Sequence, residues 1–173
     1  MRKPKDEKSI RDEARRILKK CRISEPPVPV DIIAESLGAH VRYSPFDGEL
    51  AGMLVRGEGQ TVIGVNSLHH TNRQRFTIAH ELGHLVLHKG DVHIDRSFRV
   101  NRRDAVSSQA SDPEEIEANR FAAELLMPYN LIVRELLDNP IDVEDEEQIK
   151  CLADQYKVSV QAMTLRVTNL SNF

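Results

Sequence analysis

His80, Glu81 and His84 stand in the pattern His-Glu-x-x-His, and that pattern has a definite chemistry. On a helix, histidines at i and i+4 stack on one face and can share a zinc ion (Zn2+), while the glutamate between them reaches a water on that ion as general base. The surrounding stretch, Arg75 to His88, reads as such a helix. At about 100° per residue, Ile78, Ala79, Leu82, Leu85, Val86 and Leu87 cover most of its circumference, so it is expected to be largely buried. One narrow polar stripe is left, made of Thr77, His80, Glu81, His84 and His88. Ionisable groups on an otherwise apolar helix need a partner or a job. The pentapeptide alone also arises by chance, and many buried histidines are hydrogen-bonded core residues. Its position on the polar edge of a buried helix is what favours catalysis.

Two histidines still need a third protein ligand. Asp112-Pro113-Glu114-Glu115 opens a second helix, with Asp112 as N-cap, Pro113 at the first helical position and acids in the first turn. Ala118, Phe121, Ala122, Leu125 and Leu126 give it an apolar face. Glu115 lies at the edge of that face above Asn119 at i+4, whereas Glu117 and Glu124 are expected to point towards solvent. Glu115 is therefore the carboxylate best placed to complete a His-His-Glu site, with Asn119 hydrogen-bonding and orienting one ligand. Asp112-x-x-Glu115 equally matches a capping box, in which Glu115 bonds back to the N-cap amide, and helix geometry does not separate the two roles. Glu114, also on the apolar arc, is the next candidate. His88 follows at i+8, but three histidines along a straight helix span about 12 Å, too far for one ion. It is left to orient a ligand, face substrate or sit exposed at the helix end.

The elements that must position these residues follow along the chain. Asp6 to Arg22 reads as a helix with Ala14, Ile17, Leu18 and Cys21 inward and a solvated basic face of Arg11, Arg15, Arg16, Lys19 and Lys20. After Pro26-Pro27-Val28-Pro29, Val30 to Leu37 forms a short helix with Ile32, Ile33 and Leu37 inward, stopped by Gly38. Ala39 to Tyr43, Leu50 to Arg56 and Gln60 to Asn66 are candidate strands, with turns at Phe46-Asp47-Gly48 and Gly57-Glu58-Gly59. They predict a small antiparallel sheet packed on the His-Glu-x-x-His helix. An extended peptide could add to the edge strand of that sheet by backbone hydrogen bonds. Lys89 to Ser111 shows no periodicity and carries Arg96, Arg99, Arg102 and Arg103, which suits a lid or binding loop able to steer an acidic substrate segment.

The whole chain bounds the answer. Its 173 residues suit one domain, or one with a small helical appendage, and 40% hydrophobic with 29% charged residues is a globular composition. A formal net charge of -3 argues against a general nucleic-acid or membrane binder. Cys21 and Cys151 lack partners at metal-binding spacing and read as reduced thiols. With no signal-like or membrane-length apolar run, a soluble, cytoplasmic protein without membrane association is expected.

Taken together, Asn66, Arg75-Phe76-Thr77-Ile78-Ala79-His80-Glu81-Leu82-Gly83-His84 and Glu115-Ile116-Glu117-Ala118-Asn119-Arg120-Phe121-Ala122-Ala123-Glu124-Leu125-Leu126-Met127-Pro128 resemble the ImmA/IrrE family of zinc metallopeptidases. The resemblance runs from about Pro29 to Pro128 and implies an α+β fold with a zincin-like metallopeptidase core. It implies a gluzincin-type site with His80, His84 and Glu115 as zinc ligands and Glu81 as catalytic base. It also implies a protein substrate, typically a helix-turn-helix repressor whose cleavage derepresses stress-response or mobile-element genes.

The expected domains are 1–128, the metallopeptidase part, and 129–173, a helical C-terminal part built from Tyr129 to Asp138, Glu144 to Tyr156 and Ser159 to Leu170. Leu152 to Met163 resembles a helix-turn-helix, in which Ser159, Gln161, Thr164 and Arg166 would face a DNA groove. Its second helix carries one basic residue, and the Asp142 to Glu147 acidic run repels phosphate, so helix packing or partner docking is favoured over DNA binding. The rival to the peptidase is a non-catalytic regulatory, DNA-binding or partner-binding protein with a metallopeptidase-like core. Glu81 argues for the peptidase, since a structural metal site needs no general base. His69, His70, His93 and Tyr129 are the available donors to an oxyanion.

Overall fold

Asp6 starts the first helix, α1 (Glu7–Lys20), by accepting the Ser9 amide at 2.7 Å, and Ile10, Ala14, Ile17 and Leu18 form its buried stripe. This is a computed structural model, and it describes residues 4–47, 50–57, 59–90, 92–95 and 112–171. The short helix α2 (Val30–Ser36) buries Val30, Ile33 and Ala34 and ends before Gly38, whose φ of 79° lies in the left-handed region. Ile32, expected inward, is 60% exposed, because so short a helix can press only one narrow face on the core.

The sheet contains β1 (Ala39–Ser44), β2 (Gly52–Gly57), β3 (Gln60–Asn66) and β4 (Val92–Asp95), in the order β1-β3-β2-β4. It is mixed, which corrects the expected all-antiparallel sheet. β2 folds back on β3, and β1 takes the other side of β3, so β1 and β3 run parallel with Ala39 opposite Thr61 and Ser44 opposite Asn66. β4 pairs antiparallel with the outer edge of β2 and lies inside the stretch expected to be an irregular connection. The rest of that stretch, including Arg96, Arg99, Arg102 and Arg103, lies outside the described residues, as do Gly48 and Glu58 of the expected turns.

β3 leads through a tight turn into α3 (Thr71–Leu87). The buried Asn66 pins this junction: its side-chain amide donates to the Phe46 and Leu50 carbonyls, and its side-chain oxygen accepts from the Leu68 amide at 3.0 Å. Arg56 of β2 holds the other end of α3, donating to the carbonyls of His84, His88 and Gly90, where a cation also suits the negative end of the helix dipole.

α4 (Pro113–Leu126) lies against α3, and α5 (Tyr129–Asp138), α6 (Glu146–Tyr156) and α7 (Val160–Ser171) follow. One apolar core, from Ile10 through Phe121 to Val167, joins the helices to the inner face of the sheet. The result is an α+β fold with seven helices and a four-stranded sheet among the described residues, none of whose helices is long and apolar enough to cross a membrane. The basic face of α1 is only partly solvated, since Arg11 stacks over the Tyr129 ring at 4.7 Å and Arg15 donates to Asn130 at 2.9 Å.

α3 and α4 meet backbone to backbone. A Cβ on Gly83 would lie 2.9 Å from the Ala118 Cα and 3.1 Å from its carbonyl oxygen, a gap that only glycine fits. Gly83→Ala is therefore expected to lower stability by about 1–3 kcal/mol despite the better helix propensity of alanine. Chemical denaturation checks this, and an unchanged or raised midpoint would show that the helices can separate freely.

Candidate metal centre

The tight α3–α4 crossing brings the polar stripe of α3 under the first turns of α4. Thr77, His80, Glu81, His84 and His88 are all buried there. His80 Nε2 and His84 Nε2 are 3.1 Å apart, Glu115 Oε2 lies 3.4 Å from the first and Glu115 Oε1 lies 3.3 Å from the second. Ligands held tetrahedrally at about 2.0–2.1 Å from one ion stand roughly 3.3 Å from each other. Two imidazole nitrogens and a carboxylate at these separations therefore fit a zinc-type site by both donor type and spacing. Asp112 caps α4 by accepting the Glu114 amide at 2.9 Å, while the Glu115 carboxylate turns to the histidines. Glu114 has its backbone in that cap and is not among the clustered metal-binding groups of the described residues.

Each histidine is held from behind. His80 Nδ1 lies 2.8 Å from Asn119 Oδ1, one turn beyond Glu115 on α4. His84 Nδ1 lies 3.0 Å from His88 Nδ1, and His88 Nε2 lies 3.1 Å from Glu117 Oε2. The other oxygen of Glu117 accepts the backbone amide of Lys5 at 2.7 Å. With the Nε2 of His84 facing the cluster, its Nδ1–H donates to His88, and the Nε2–H of His88 donates to Glu117, a chain that fixes both tautomers. Glu117 and Glu124 are thus buried rather than solvent-facing. Glu124 pairs with Arg166 and accepts the Tyr129 amide at 3.0 Å. The helix wheel places them outward because it knows one apolar face, whereas α4 is also covered by α1 and by Arg166 of α7.

His93 of β4 is the addition that the sequence left unranked among four donors. Its Nε2 is 2.7 Å from Glu115 Oε1, its Nδ1 is 3.1 Å from Glu81 Oε2, and its ring stacks on His84 with centroids 3.5 Å apart. The signal was its place between Val92 and Ile94 in a short alternating stretch, too brief to stand out. His80, His84, His93 and Glu115 form a group that could hold a metal ion, their ligating atoms all within 4.8 Å of one another. Of the other donors, His69 lies in the turn before α3, His70 caps α3 by accepting the Asn72 amide, and Tyr129 lies beneath Arg11.

The charges follow from this packing. Burial lowers His84 to about 4, against the pull of Glu115, so its imidazole is neutral and free to bind a metal. Burial would raise Glu115, but its close polar contacts with His80, His84 and His93 hold it far below the usual carboxylate range. Burial would likewise lower His93, yet Glu115 and Glu81 raise it to about 10.

Residues 34–168 match the family described as the IrrE N-terminal-like domain, peptidase M78. No curated protein matches the chain significantly. Among solved structures, a Mycobacterium tuberculosis transcriptional regulator is similar in fold, with a TM-score of 0.56 and 16% identity, over 90% of this chain. The chain spans 44% of that structure's length.

The His84–His88–Glu117 chain makes a prediction separate from the ligands themselves. Glu117→Gln is expected to weaken cobalt or zinc binding by about 10–100-fold while circular dichroism stays native. Unchanged affinity by chelator competition would show that Glu117 serves only to anchor Lys5.

Proposed function

The chain belongs to the IrrE N-terminal-like peptidase family, and from that premise we propose that it is a zinc-dependent endopeptidase with a gluzincin-type site in a zincin-like core. One observation carries this reading: the Nε2 atoms of His80 and His84 and the Glu115 carboxylate stand 3.1–3.4 Å apart, with Glu81 on the same helix beside them. Zinc, when bound there, supplies Lewis acidity towards the scissile carbonyl and brings the pKa of water towards about 7.

The remaining roles belong to the chain. Glu81, fully buried, accepts the proton of the attacking water and returns it to the departing amine. Asn119 and the His88–Glu117 pair keep His80 and His84 in the orientation and tautomer that turn both Nε2 lone pairs towards the Glu115 carboxylate, where the ion would sit.

The substrate we propose is a helix-turn-helix repressor, as the family resemblance implies. That the similar solved structure is a transcriptional regulator is consistent with such a setting. The C-terminal helices, proposed as a helix-turn-helix-like part from residue 129 on, suit docking better than DNA reading. Arg166 is committed to Glu124 and the Met127 carbonyl, and Ser159 accepts the Ala162 amide as a cap.

Co-expression with the helix-turn-helix regulator encoded beside the gene tests this function. Wild type is expected to cut the regulator, and Glu81→Gln is expected to slow cutting by about 10²–10⁴-fold while still binding zinc. Chelation should abolish cutting and zinc should restore it. Cleavage by Glu81→Gln at the wild-type rate would overturn the mechanism.

A further inference from the structure

A zinc peptidase needs an open coordination position and a free strand edge beside its base, and one segment of this chain fills both. β2 is the strand that runs beside the base: a Cβ on Gly52 would collide with Thr77 of α3 and lie 3.5 Å from Glu81 Oε1. Its outer edge is where an extended peptide would add by backbone hydrogen bonds. β4 already lies there, antiparallel, with Val92 opposite Val55 and His93 opposite Leu54. From β4 the His93 ring reaches the metal centre, touching Glu115 at 2.7 Å and Glu81 at 3.1 Å and stacking on His84. Once an ion displaces the proton that His93 shares with the two carboxylates, it would make a set of four protein donors with His80, His84 and Glu115. Four protein donors are the closed form of a zinc site, whereas a catalytic site keeps one position for water or substrate.

We propose that β4 is an internal pseudo-substrate: it occupies the peptide-binding edge of β2, and His93 closes the metal site, so that this conformation is latent. The proposal rests on the peptidase reading above. The ligand that replaces β4 is an extended segment of another protein, bound backbone to backbone along β2. The strand is built to leave. It is four residues long and outermost in the sheet, and Val92 is 58% exposed. A histidine that served instead as donor to the oxyanion would make its own removal harmful, so the sign of the effect separates the two roles.

The experiment uses the full chain loaded with cobalt and follows binding of a tripeptide hydroxamate by the visible absorption of the ion. Cobalt uptake is measured first. If wild type takes up no stoichiometric cobalt, the metal-centre reading fails and this proposal falls with it. With cobalt bound, His93→Ala is expected to bind the hydroxamate about tenfold more tightly or better, since it no longer pays for displacing the strand. The double variant Val55→Cys/Val92→Cys should exclude the hydroxamate when oxidised and bind it like wild type when reduced with a phosphine. Equal or weaker binding by His93→Ala, or equal binding by the oxidised and reduced double variant, would overturn the proposal while leaving the peptidase reading intact.

Discussion

The approach of α3 to α4 at Gly83 and Ala118 governs everything built around it. Side chains on two helices can share one ion only if their backbones are nearly in contact, because a glutamate and a histidine together reach only a few ångströms past their Cβ atoms. A methyl group at Gly83 would meet the Ala118 backbone. Close packing there is what lets Glu115 lie within 3.4 Å of both His80 and His84. The sheet contributes from the other side, as Arg56 ties the last carbonyls of α3 to β2 and Asn66 fixes the turn by which the chain enters that helix.

Burying so many ionisable groups is costly unless each has a partner. Here the partners form a continuous network: Asn119 behind His80, His88 and Glu117 behind His84, and the Lys5 amide behind Glu117. The Glu117 carboxylate thereby links the start of the chain to α4. A second buried carboxylate, Glu124, receives Arg166 and so joins α7 to the same helix. Three of the four acids of α4 thus divide the work: Glu115 faces the histidine cluster, Glu117 holds the start of the chain and Glu124 holds α7.

Much of this was legible in the sequence, because α3 carries its chemistry on one face of a periodic apolar helix, and periodicity is a local property. The same holds for α4, where the N-cap and Pro113 announce the helix, and the position of Glu115 one turn before Asn119 puts both on one side. The outward reading of Glu117 and Glu124 failed for a different reason. A helix wheel assumes one buried side, and which further elements cover a helix depends on residues far away, here Lys5 and Arg166. The direction of β1 was hidden similarly, since three consecutive strands look alike whether the first pairs with the second or with the third. β4 and His93 were least legible, because four residues are too few for a periodicity to show, and only the paired sheet shows where that histidine goes.

The central claim is that α3 and α4 together make a protein-bound zinc centre from His80, His84 and Glu115. X-ray absorption at the zinc edge of the loaded protein tests it most directly. The account predicts a shell of nitrogen and oxygen donors at about 2.0–2.1 Å with imidazole scattering and no sulfur. It also predicts loss of that shell in Glu115→Gln. A shell of oxygen alone, or an unchanged spectrum in Glu115→Gln, would contradict it.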